Sequence, residues 1–181
     1  TQGMSFIAGM FSFYLSNEEC FWTFVYLFEK RGMLIYFKEL TTIERFIYIH
    51  EKLMDKYMSG LLAHLRKAGI DGKMYMPKYI YTFFASQLPL SFCCRIFDIF
   101  IFENEKIIFR ALLAVFKTLE AELLSKKSME EMHPMISEPS KYMQGMHPDE
   151  FIATCLTFTF GANFLGKLEY EYNSKNHSNA N

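Results

Sequence analysis

The sequence predicts an all-α domain of about eight to ten short helices. Apolar residues recur at three-to-four spacing in nearly every segment, which is the period of a helix face. Cap and stop residues punctuate those segments at helical lengths. Half of the chain is apolar (51%), with 20 Phe and 11 Tyr among 181 residues, enough for one domain with a densely packed interior.

Phe6, Ile7, Met10, Phe11, Tyr14 and Leu15 share a helical spacing, so residues 4–15 read as a buried helix. Ser16 or Asn17 caps the next one, with Glu18 and Glu19 in its first turn, and Gly32 ends it. Phe21, Trp22, Phe24, Val25 and Phe28 cover most of that helix, which predicts burial on several sides. Residues 43–58 form the clearest amphipath. Thr41-x-x-Glu44 resembles a capping box at its start, and Ser59-Gly60 interrupts it. A shorter helix then ends at Gly69, and Ile70-Asp71-Gly72 is a turn. Further helices are expected at about 77–86, 91–102 and 104–126.

Beyond Lys127 the chain is rich in Pro, Met and charge, which reads as one short helix and a loop. Pro148 with Asp149 and Glu150 opens another helix. Thr154, Thr157 and Thr159 beside Phe158 and Phe160 also suit a strand, but a lone strand would have no partner. Residues 173–181 form a polar tail, expected to fray.

Several function classes fall away on composition. A net charge of −1 disfavours binding to a phosphate backbone, and the aromatics lack the interleaved cations of a base-stacking surface. Cys20, Cys93, Cys94 and Cys155 match neither a redox pair nor a zinc knuckle and read as reduced, mostly buried thiols. The histidines lack metal-ligand spacing; His133 and His147 precede prolines and read as loop residues. No phosphate-binding loop, dinucleotide fingerprint, nucleophile elbow or H-E-x-x-H motif is present. The apolar run at 107–116 is too short to span a membrane and carries Arg110. No signal peptide is visible, and the chain is expected to be soluble and cytoplasmic.

Three features invite a chemical reading. Glu18/Glu19 and Glu130/Glu131 sit at helix starts, where the dipole accounts for them. Arg95 and Asp98 lie three apart, which predicts a partly buried ion pair on one helix face or, alternatively, a catalytic pair. The third is Gln2-Gly3-Met4, echoed at Gln144-Gly145-Met146. A glutamine carboxamide can accept from a water while donating to a phosphate oxygen, which suits positioning the nucleophile in GTP hydrolysis. A following glycine would let a partner approach the backbone closely.

The order of motifs then carries more than any one of them. "QGMSFIAGMFSFYLSNEECFWTFVYLFE" resembles the third signature of the TBC domain, a Rab GTPase-activating module: Y-x-Q-G-M, an apolar helix, then E-E-x-x-F-W. "GLLAHLRKAGID" is similar to the family's L-x-x-H-L helix. "YMPKYIYTFFASQLPLSFCCRIFDIFIFENEKIIFRALLAVFKTLEAELL" resembles its block from W-F through L-P and R-I-W-D to L-F-R-x-A-L-A. Residues 1–125 follow the family closely. Phe97 stands where it usually has Trp, Tyr79 or a neighbour replaces another Trp, and Asn104 stands near an expected Gly.

This resemblance implies a multi-helix TBC-type fold of which residues 1–172 form the carboxyl-terminal part. It implies acceleration of GTP hydrolysis by Rab-type small GTPases in their GTP form, hence a role in vesicle traffic, cytoplasmic and peripheral to endomembranes. GTP and Mg²⁺ would be held by the partner, and the chain would need no cofactor or metal and perform no chemistry of its own. Gln2 takes the place of the family's catalytic glutamine, Gly3 and Met4 would form a GTPase-contacting loop, and Trp22, Arg95 and Asp98 mark the structural motifs. The family's arginine finger belongs to an upstream I-x-x-D-x-x-R. None of Arg31, Arg45, Arg66, Arg95 and Arg110 has that context. The resemblance therefore also leaves room for a catalytically silent, TBC-like binding or scaffold module, and it implies poor activity without the upstream arginine. If this portion folds alone, an exposed apolar face is expected. Gln144 lacks the E-E-x-x-F-W sequel and reads as a loop residue.

Overall fold

The computed structural model describes residues 3–38 and 40–179. Among them are ten α-helices and no strand. In order they are α1 (Met4–Ser12), α2 (Asn17–Val25), α3 (Ile35–Lys38), α4 (Leu40–Lys67), α5 (Met76–Tyr81), α6 (Leu90–Glu103), α7 (Lys106–Ser125), α8 (Met129–Ser137), α9 (Pro148–Thr157) and α10 (Ala162–Asn179). A π-helical turn, Tyr26–Lys30, extends α2.

The centre is α7. Every residue from Ile107 to Phe116 is buried, because α4, α6, α8 and α9 all pack around it. Arg110 is the one cation in that run. Burial is tolerated because its guanidinium bonds Glu103 at 2.8 Å while Nε donates to the Phe158 carbonyl at 3.1 Å. Arg45 fastens α4 to its neighbours in the same way, meeting Glu105 at 2.8 Å and Glu169 on α10 at 3.1 Å. α9 and α10 meet at 71°, and no single described helix is long and apolar enough to cross a membrane.

The local signals act where they were read. Ser16 and Glu19 close a capping box at α2, while Gly32 (φ 73°) and Gly69 (φ 81°) take the left-handed conformation that ends helices. α4 kinks at Met58, just before Ser59-Gly60. Residues 148–157 are helical, as expected over the strand alternative.

Other readings are corrected. α4 begins at Leu40, so Thr41 lies inside its first turn instead of capping it. α5 stops at Tyr81, five residues early, because the chain turns left-handed at Phe83 and Phe84. His133 and Pro134 lie within α8, and His147 caps α9, its Nδ1 accepting from the Asp149 amide. Residues 173–179 continue α10 as helix. Finally, α2 has no buried residue. Trp22 and Phe21 are about 60% exposed, and Phe13 and Tyr14 about 70%, so α2 and the turn that leads into it from α1 carry exposed aromatic side chains.

Candidate functional site

Gln2 lies outside the described residues; the two that follow it do not. Gly3 is buried and Met4, the first residue of α1, is half-buried against the core. Gly3 has an ordinary helical backbone (φ −71°, ψ −30°), so no torsion demands glycine there. Space does. A Cβ on Gly3 would collide with the carbonyl oxygen of Tyr81 and lie 2.7 Å from its carbonyl carbon and 2.9 Å from its Cβ. The chain's own backbone approaches this glycine closely.

Tyr81 ends α5 and opens an unusual turn. Phe83 (φ 48°) and Phe84 (φ 66°) occupy the left-handed region in succession, at a cost of about 1–2 kcal/mol each for residues with a Cβ. Both rings are buried, which offsets that strain. Phe83 packs edge-on against Phe97 at 4.9 Å and Phe100 at 5.1 Å, and Phe84 against Tyr79 at 5.5 Å. The Thr82 hydroxyl lies 2.8 Å from the Lys78 carbonyl oxygen, 3.0 Å from Ser86 Oγ and 3.1 Å from Gln87 Oε1. Below the turn, the Tyr79 hydroxyl donates to the Ile136 carbonyl at 2.6 Å, tying α5 to α8.

A cleft of about 720 Å³ borders the far end of α1. Met10, Phe11 and Leu15 form one wall, Phe97 and Ile101 of α6 the other, and the amino-terminal end of α9 closes it. Arg95 stands at its rim and pairs with Asp149 of α9, not with Asp98 as the three-residue spacing predicts. Arg95 and Asp98 are both exposed, which corrects the partly buried pair. The ion pair holds the Asp149 carboxyl below its usual range, and a hydrogen bond with Cys94 raises the Tyr14 hydroxyl. The structure therefore does not bring Arg95 and Asp98 to Gly3; they attend the opposite end of α1.

Each of the five arginines is engaged within the chain. Arg31 donates to the Ile101 carbonyl at 2.5 Å and to Asn104 Oδ1 at 2.8 Å, and Arg66 bonds Glu51 at 2.8 Å. Arg45, Arg95 and Arg110 make the pairs described above. The thiols are equally occupied with structure. Burial pushes Cys93 and Cys155 up to about 12, while Cys20 and Cys94 are half-buried, and all four are free of disulfides. Among the described residues no three His, Cys, Asp or Glu side chains cluster as metal ligands.

The model of the Rab-GTPase-TBC domain matches residues 1–124, from the Gln-Gly-Met segment through nearly all of α7. The chain belongs to that family. Curated proteins similar to this TBC chain include the human "Ecotropic viral integration site 5 protein homolog", 28% identical over 94% of the chain and 21% of that protein. Mouse "TBC1 domain family member 4" is 28% identical over 72% of the chain and 10% of its own length. Human "TBC1 domain family member 14" is 29% identical over 69% and 18% respectively. The chain thus spans about a fifth or less of these relatives.

In this TBC chain, sequence reasoning missed the seat under Gly3 and the partner of Arg95. The first depends on two consecutive left-handed phenylalanines, for which no local residue preference exists. The second joins residues on helices distant along the chain.

Proposed function

We propose that this chain is the glutamine-bearing portion of a GTPase activator for Rab-type small GTPases. Gln2 would enter the partner's active site and orient the attacking water, its carboxamide accepting from the water and donating to a phosphate oxygen. The partner brings GTP and Mg²⁺. The observation that carries the reading is the family match, which covers residues 1–124, from the Gln-Gly-Met segment through nearly all of α7. The close packing of Gly3 on the Tyr81 carbonyl supports it, because a residue next to a closely packed backbone is restricted in where its own side chain can reach.

The engaged arginines favour a further point. An arginine finger is worth about 10³–10⁵ in rate, and each arginine of residues 1–181 already has a partner within the chain. An active protein needs an arginine from elsewhere; with no such arginine, the chain is a silent module that binds a GTPase in membrane traffic. Single-turnover GTP hydrolysis across a panel of Rab GTPases, with the full-length gene product and its Gln2→Ala variant, separates these readings. Stimulation that Gln2→Ala abolishes is the expected result. Stimulation unchanged in Gln2→Ala overturns the glutamine assignment, and GTPase binding without any stimulation selects the silent module.

A further inference from the structure

Resting on the reading of Gln2 as the glutamine supplied to the GTPase, we infer that Gly3 and the turn after α5 form a seat that positions it. Gly3 and Thr82 are positioning residues: neither need touch the nucleotide. Consecutive Cα atoms across a trans peptide are about 3.8 Å apart, so whatever a residue packs against limits the arc available to its neighbour. Gly3 packs directly on the Tyr81 backbone, since a Cβ there would overlap its carbonyl group.

A seat positions only if it is itself rigid. Four observations make this one so. The left-handed pair Phe83–Phe84 is clamped by buried rings against α6 and Tyr79. The amides of Phe84 and Ala85 donate to Tyr79 and Thr82 at 3.0 Å each, and those of Gln87 and Leu88 to the Phe84 carbonyl at 2.9 Å. The Thr82 hydroxyl joins Lys78, Ser86 and Gln87. Lastly, the Tyr81 ring continues a file of aromatics: Phe37 at 5.8 Å, Phe28 at 5.3 Å beyond it, then Phe24 stacked at 4.1 Å. That file couples the seat to α2 and its π turn, the elements that follow the glutamine segment in sequence.

The test compares Gly3→Ala with Gly9→Ala in the full-length gene product, with Gln2→Ala as reference. Gly9 lies inside α1, which Gly3 precedes as its N-cap, and no atom beyond its own helix backbone comes within 4 Å of a new Cβ, so it controls for an added methyl group that meets no neighbour. Misplacement of a catalytic group by about 1 Å costs about 10²-fold. Gly3→Ala is expected to lower the stimulated kcat at least about tenfold on that basis, leaving KM for the GTPase within twofold, while Gly9→Ala matches the parent. Amide exchange at Phe83–Ala85 should accelerate in Gly3→Ala alone. Should Gly3→Ala fail to fold, Thr82→Val removes the hydroxyl and Thr82→Ser restores it. The valine should lower kcat at unchanged KM and the serine should not. Parental kcat in Gly3→Ala, or in Thr82→Val when Gly3→Ala does not fold, overturns the seat while a defective Gln2→Ala keeps the glutamine reading. Parental stimulation in Gln2→Ala overturns both.

Discussion

The two Gln-Gly-Met segments use the same glycine for opposite reasons. Gly3 has an unremarkable φ of −71° and no room: the Tyr81 carbonyl occupies the space a side chain would need. Gly145 has open space on every side, with nothing within 4 Å of a Cβ, but its φ of +85° lies in the left-handed region. The first is a contact glycine and the second a turn glycine. Gln144 is exposed in the loop between α8 and α9, as its setting in the sequence predicts. A short motif therefore takes its meaning from the backbone packed against it.

The largest effect that could break this comparison is catalytic. Gln2→Ala is expected to reduce stimulated GTP hydrolysis by about 10²-fold or more, the scale of losing one preorganised donor at a developing charge. Gln144→Ala should leave it within twofold. A multiple-turnover phosphate-release assay on both variants decides, and equal losses would erase the distinction between the two copies.

Next in size is a property of the core. His50 is fully buried between Tyr75 and Phe116, and neither ring nitrogen has a hydrogen-bond partner. Burial depresses its pKa to about 3 from 6.5. Above pH 6.5 the imidazole is neutral both folded and unfolded, so it contributes no pH dependence. Between pH 6.5 and about 3 only the unfolded chain takes up the proton, and stability falls by about 1.4 kcal/mol per pH unit. Urea unfolding of His50→Leu against the parent across that window should remove this slope. At pH 7 the leucine should gain about 1 kcal/mol by relieving the unpaired nitrogens.

What was legible in the sequence was local. The helical periods, the cap at Ser16 or Asn17 and the stops at Gly32 and Gly69 depend on neighbours within a turn or two. The left-handed Phe83 and Phe84 were illegible, because nothing in "TFFAS" disfavours continuing α5; burial of both rings in a distant core selects the turn. Trp22 misled for the complementary reason: its apolar neighbours imply burial, yet no described element covers that face of α2. Of the site, motif order singled out Gln2, while the seat of Gly3 required knowing which carbonyl meets it.

The turn glycine offers a smaller effect that sharpens the contrast. Gly145→Ala should cost about 1 kcal/mol, the penalty for a Cβ in the left-handed region. Gly145→Asn should cost less, since asparagine tolerates that region. Chemical denaturation of both variants gives the order. A contact glycine would show the reverse, with the larger asparagine worse than alanine.

The smallest effect concerns the ion pair downstream of the second copy. Arg95 of α6 meets Asp149 in the first turn of α9, which immediately follows that loop. Both side chains are more than half exposed, so water and salt screen the attraction. The carboxyl is held below its usual range by the guanidinium; any stabilisation is therefore present above the unfolded pKa and fades as pH falls through the folded one. Asp149→Asn should remove that acid-side component and leave behaviour at pH 7 in high salt close to the parent's. Proton-detected titration of the Asp149 carboxyl with and without Arg95→Gln tests the coupling. An Asp149 pKa unmoved by Arg95→Gln would mean that the cap by His147 and the α9 amino terminus, not the ion pair, hold the start of this helix.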